Sequence, residues 1–172
     1  KKMKTFFIYY LVFTMILFKL NTINFDQEIP VKDNKLIESK FTTYFNLSIV
    51  YKRFRVINEI INRRLCNFNL ADDLGDTPLI IACKQKSIDT IRRLFEINDI
   101  DYLHRNNNGD DALKISIDLM GIEKIEINEM NKEDYFNALI NILNGSKDKV
   151  YVHGGALNFP RRNNILQRPL FH

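Results

Sequence analysis

A chain of 172 residues, 45% hydrophobic and 27% charged, can build one compact domain with short extensions and is too short for two. Its net charge of +4 and pI near 9.0 come largely from the two ends, so nucleic acid is not expected as a partner of the folded part. Cys66, Cys83 and the three histidines show no ligand spacing, which leaves no metal site in the sequence.

In chain order, Lys1, Lys2 and Lys4 precede an apolar run, Thr5–Phe18, broken by Lys19. A basic head and a run of this length are the pattern of a secretory signal, while the absence of a small-x-small site over Leu20–Asn24 leaves an uncleaved membrane anchor open. On either reading residues 1–24 form a hydrophobic N-terminal helix. They place the protein outside the cytosol, secreted or periplasmic, or tether it to a membrane through residues 5–18. Residues 25–35 are polar, contain Pro30, and read as a linker.

A helical pattern is expected from Leu36, with Phe41, Phe45 and Ile49 at i, i+4 and i+8 on one face. Tyr51-Lys52-Arg53-Phe54-Arg55 interleaves aromatic and basic side chains, as some nucleic-acid sites do, but its place between two apolar helical runs makes it a loop joining paired helices. In Asp72–Ala82, Gly75 suits a left-handed turn, Thr77 can cap the free N–H groups of a first turn, and Pro78 fits the first helical position. Leu79 and Ala82 then share a face.

That stretch recurs. Gly109, Asp111 and Leu113 stand 34 residues after Gly75, Thr77 and Leu79, and Thr43, Phe45 and Ser48 stand 34 before Thr77, Leu79 and Ala82, although Phe41 replaces the glycine. The apolar positions Ile57, Ile60 and Ile61 return at Ile91, Leu94 and Phe95 with the same offset, and a third time at Phe136, Leu139 and Ile140 after about eleven extra residues. A period in this range means stacked helical units. The extra segment, Gly121–Met130, carries Glu123, Glu126 and Glu129 and reads as a solvated loop; Asn144-Gly145 closes the last helix. Residues 146–172, with Arg161, Arg162 and Arg168, lack a period and read as a basic extended tail.

Gly75-Asp76-Thr77-Pro78-Leu79-x-x-Ala82, preceded by Asp72, resembles the signature of the ankyrin repeat. The resemblance runs from about Phe41 to Asn144 as three repeats, the middle one good and the outer two degenerate. It departs from the family at Ile80 and Leu65 and through the insertion in the third repeat. It implies an all-α solenoid of about three helix-turn-helix repeats spanning 36–145, with short hairpin fingers over Cys66–Ala71 and Asp99–Arg105. It also implies a monomer that binds an unidentified protein partner through its finger tips and first helices. The tips point to Asp73, Leu74, Asn107 and Asn108. Positions that vary between copies and are expected at the surface are Asp76, Ile80, Lys84, Gln85, Asp110 and Lys114.

Catalysis and cofactors are not expected. His104 falls in a finger, and His153 and His172 fall in the tail. His153-Gly154-Gly155 resembles the oxyanion-loop glycines of esterases, but no Gly-x-Ser-x-Gly turn accompanies it. The two cysteines either fill small buried positions or pair in an exported chain. A second reading of the whole is a membrane-tethered structural or envelope protein whose basic tail contacts anionic lipid or nucleic acid.

Overall fold

Three side-chain caps set the fold, one every 34 residues. In the computed structural model, which describes residues 22–31, 38–122 and 130–145, Thr43 Oγ1 accepts the Asn46 N–H at 3.1 Å, Thr77 Oγ1 accepts that of Ile80 at 3.5 Å, and Asp111 Oδ1 accepts that of Lys114 at 2.8 Å. Each cap is extended and opens a helix: α1 (Tyr44–Val50), α3 (Pro78–Lys84) and α5 (Ala112–Met120).

Each of these helices is followed by a tight turn and a second helix: α2 (Phe54–Arg63), α4 (Ile88–Phe95) and α6 (Lys132–Leu143). The first two turns use left-handed Lys52 and Lys86, at φ 52° and 51°. Their closing bonds also correspond: Arg53 N–H to Ser48 at 2.8 Å and Ser87 N–H to Ala82 at 2.9 Å. In the third unit the turn comes one residue later, at left-handed Gly121, where Ile122 N–H reaches Ile117 at 3.2 Å. The longer connection expected there therefore starts at Gly121, one residue later than the 34-residue offset gives. Glu123, Glu126 and Glu129 lie outside the described residues.

The first helices α1, α3 and α5 lie side by side in one layer and the second helices α2, α4 and α6 in another, with each helix also packed on its own pair. The core between the layers is built from corresponding residues. Phe45, Leu79 and Leu113 are all at 1–2% exposure, and Ile57 and Ile91 are fully buried. The small residues Ser48, Ala82 and Ser116 are buried beside them, which lets neighbouring backbones approach. In the third unit Tyr135 is buried against Phe95 and Tyr102, with ring centroids 6.4 and 5.1 Å away, and its hydroxyl accepts the Leu113 N–H at 2.9 Å. The last pair is thus tied by a hydrogen bond as well as by packing.

The described chain is mainly helical, and it departs from the sequence expectation at its start. The helix of the first unit begins at Tyr44, residues 38–40 are not helical, and Leu36 lies outside the described residues. Phe41 belongs instead to a short strand, β2 (Phe41–Thr43), paired antiparallel with β1 (Glu28–Pro30) in the register Glu28 to Thr43. Part of the expected linker is therefore folded. Phe25 is buried at 4%, and Asp26 accepts the Asn67 N–H at 2.8 Å. The fingers also differ, since neither 66–71 nor 99–105 contains a strand. Asparagine side chains join them instead: Asn69 donates to the Asp99 carbonyl and accepts from the Asp101 N–H, both at 2.8 Å. Among the described residues no helix is long and apolar enough to cross a membrane. The expected N-terminal hydrophobic helix and the basic tail lie outside them.

Candidate partner-binding groove

The turns that precede α3 and α5 are copies of each other. Asp72 Oδ1 accepts the N–H groups of Leu74 and Asp76 at 3.0 and 2.9 Å, and Asn106 Oδ1 accepts those of Asn108 and Asp110, both at 3.0 Å. Gly75 and Gly109, at φ 78° and 80°, complete them. Adjacent turns are bonded to each other. The Asp73 carboxylate accepts the N–H groups of Lys40 and Phe41 at 3.2 Å, and Asn107 donates its backbone N–H to Leu74 at 3.0 Å and its amide to the Asp73 carbonyl at 2.9 Å. The row of turns is therefore a continuous wall.

Between that wall and the layer of first helices lies a groove of about 510 Å³. Its lining repeats with the period of the chain: Glu38 and Asp72, Thr42 and Asp76, Ile81 and Ile115, Gln85 and Leu119 are pairs 34 residues apart, and Val50, Lys84 and Asp118 supply one residue from each unit. Ser39 and Leu74 complete the lining. The floor is apolar, with Ile81 and Ile115 at 6% and 8% exposure, and Leu119 stands out at 42%. A second recess of about 500 Å³, lined by Arg92, Phe95, Glu96, Lys132, Glu133 and Phe136, lies on the layer of second helices. It spans two units only and its charges alternate in sign.

The residues expected at the surface separate into groups. Leu74, Asp76, Lys84 and Gln85 line the groove. Asp73, Asn107 and Asn108 are exposed at the turn tips, and Lys114 is exposed and ion-paired with half-buried Asp110. Two expectations are corrected. Asp76 is buried at 2%, because Lys84 pairs with its carboxylate and Asn106 donates to it at 2.9 Å. Ile80 is buried at 1%. The same helix position is buried as Asn46 in the first unit and exposed as Lys114 in the third, after which no further helix pair follows among the described residues. Ile80 and Lys114 are not neighbours in one exposed row.

Asp118, Leu119, Asp72, Glu38, Ser39, Thr42, Val50, Ile81 and Ile115 were not anticipated as lining residues. The 34-residue offset applied to Lys84 and Gln85, as it was applied to the core, finds three of them: Val50, Asp118 and Leu119.

Burial lifts the Asp72 carboxyl above the usual carboxylate range, and the Asp76 charge nearby adds to this, against the lowering effect of the two N–H groups and the Ser39 hydroxyl that bond it. Cys66 and Cys83 are both free thiols. Burial pushes Cys83 up to about 12 and Cys66 higher still, so neither is a thiolate at neutral pH. His104 Nε2 donates to the Gly75 carbonyl at 3.1 Å, bracing the turn wall. Among the described residues no three His, Cys, Asp or Glu side chains come together as a metal site.

No family model matches the chain, and no curated protein matches it either.

Proposed function

We propose that the chain is an ankyrin-repeat module of three units that binds a protein partner along the groove, has no chemistry of its own, and is exported or membrane-anchored through residues 1–24. The observation that carries the binding reading is the lining of the groove by corresponding residues of all three units. A surface assembled from one row of repeat positions is what a stack of helix pairs offers to an extended ligand. The ankyrin reading is supported by the three caps at Thr43, Thr77 and Asp111 and by the matching turns around Gly75 and Gly109. Among the described residues the two thiols are held protonated and His104 is bonded to a backbone carbonyl, which favours binding over catalysis.

Two experiments test this. Replacing Leu74 and Leu119 by Arg is expected to weaken capture of a co-purifying protein at least tenfold with an unchanged melting temperature, whereas replacing Arg161, Arg162 and Arg168 by Gln leaves capture intact. The reverse pattern would transfer the function to the basic tail. Fused to a reporter active only outside the cytosol, residues 1–30 are expected to export it; an inactive, full-length cytosolic fusion removes the export reading.

A further inference from the structure

The lining residues carry unequal charge. Four carboxylates, Glu38, Asp72, Asp76 and Asp118, face the groove against a single cation, Lys84. Lys84 is spent on Asp76. Lys114, one turn before Asp118 on α5, is engaged by Asp110. Asp72 uses its carboxylate on backbone N–H groups, which leaves its charge unopposed. The outer side is more basic, with Lys52, Arg53, Arg55, Arg64 and Arg92 exposed on or beside α2 and α4 against exposed Asp89 and Glu96.

Ser39 also lines the groove, buried at 4%, and its hydroxyl faces the Asp72 carboxyl, whose pKa it lowers. Beside it stand the apolar contacts of Leu74 and Leu119.

We propose that the groove takes an extended peptide segment of a partner protein in which Arg or Lys side chains alternate with apolar ones. The basic side chains meet Glu38 and Asp118 at the two ends, and the apolar ones seat on Leu74 and Leu119. Successive side chains of an extended strand point to opposite sides, so alternation lets one set meet the acidic rim while the other meets the floor. This inference rests on the groove being the binding surface and adds the chemistry of what binds there.

The test uses the full chain and three fluorescein-labelled decapeptides, alternating Leu with Arg, Gln or Glu, followed by anisotropy. The Arg peptide is expected to bind at least tenfold tighter than the Gln peptide and the Glu peptide weakest. The E38Q/D118N variant is expected to lose at least tenfold for the Arg peptide and little for the Gln peptide, while Asp89→Asn on the outer helix changes neither. Glu38 and Asp118 are exposed, so an unchanged melting curve accompanies the loss. If the Arg and Gln peptides bound equally and Leu119→Arg abolished both, the groove would stand and the charge inference would fall. If no groove substitution affected any peptide, both would fall. If the chain with Arg161, Arg162 and Arg168 changed to Gln bound the Arg peptide tenfold tighter than the parent, its own tail would be the occupant and the partner claim would be overturned.

Discussion

The amide of Asn106 donates to Asp76 Oδ1 at 2.9 Å, joining the turn of the third unit to the cap region of the second inside the protein. Asp76 also holds Lys84, so a single buried carboxylate links two units and the wall of the groove. Its counterpart Asp110 pairs with Lys114 at the surface, where solvent screens the interaction. Asp76→Ala is therefore expected to cost about 1–3 kcal/mol by stranding a buried amide and an ammonium, and Asp110→Ala under about 1 kcal/mol. Urea midpoints compare them directly; equal shifts would contradict the asymmetry.

Gly75 and Gly109 share a left-handed backbone but not their surroundings. A Cβ at Gly75 would lie 2.6 Å from Asn107 Oδ1 and 2.8 Å from the Asn107 backbone nitrogen, while one at Gly109 meets nothing within 4 Å. Gly109→Ala is expected to cost about 1–2 kcal/mol from the backbone alone, and Gly75→Ala clearly more, because the Asn107 backbone is bonded to Leu74 and cannot yield freely. Thermal melts of the two variants check the order.

The starts of α3 and α5 were legible because each rests on local chemistry: a capping Thr77 or Asp111, Pro78 behind the first of them, and apolar residues at helical spacing. The β1–β2 pair was not legible. Three-residue strands have no period to read, and Phe41 at 45% exposure mimics the next member of the Phe45 and Ile49 stripe. Asp76 looked like a surface residue because its partners stand 8 and 30 residues further along, beyond any local window. Ile80 looked variable for a different reason: the position it shares with Lys114 is covered in the middle of the stack and open at its end.

Asn46 is the odd member of that position. It is fully buried, and neither amide atom has a hydrogen-bond partner among the described residues. Its counterpart in the next unit is Ile80, an apolar residue of the core. Asn46→Leu is expected to stabilise the protein by about 1–3 kcal/mol, the desolvation cost of an unsatisfied buried amide. A lower denaturation midpoint for the variant would show that the amide is used.

Cys83 predicts an alkaline weakness. Its thiol is raised from 9.0 to about 12 by burial, with the Asp111 charge adding to the rise and the Ser116 hydroxyl opposing it. A raised pKa means that the folded state keeps its proton longer than the unfolded chain. The contribution to stability is therefore whole below pH about 9 and is lost as pH climbs toward about 12. Cys83→Ala is expected to flatten the fall in stability between pH 9 and 11 relative to the parent, whatever its cost at pH 7. Parallel pH profiles for parent and variant would contradict this.

The groove is the proposed binding surface. A photoreactive benzoylphenylalanine placed at position 119, on the groove side of α5, tests it most directly when set against the same group at position 89 on α4. Irradiation of the full-length protein in its native source is expected to join a partner polypeptide to position 119 and not to position 89. Crosslinks confined to position 89, or absent from position 119 while the protein retains its partner, would contradict the account.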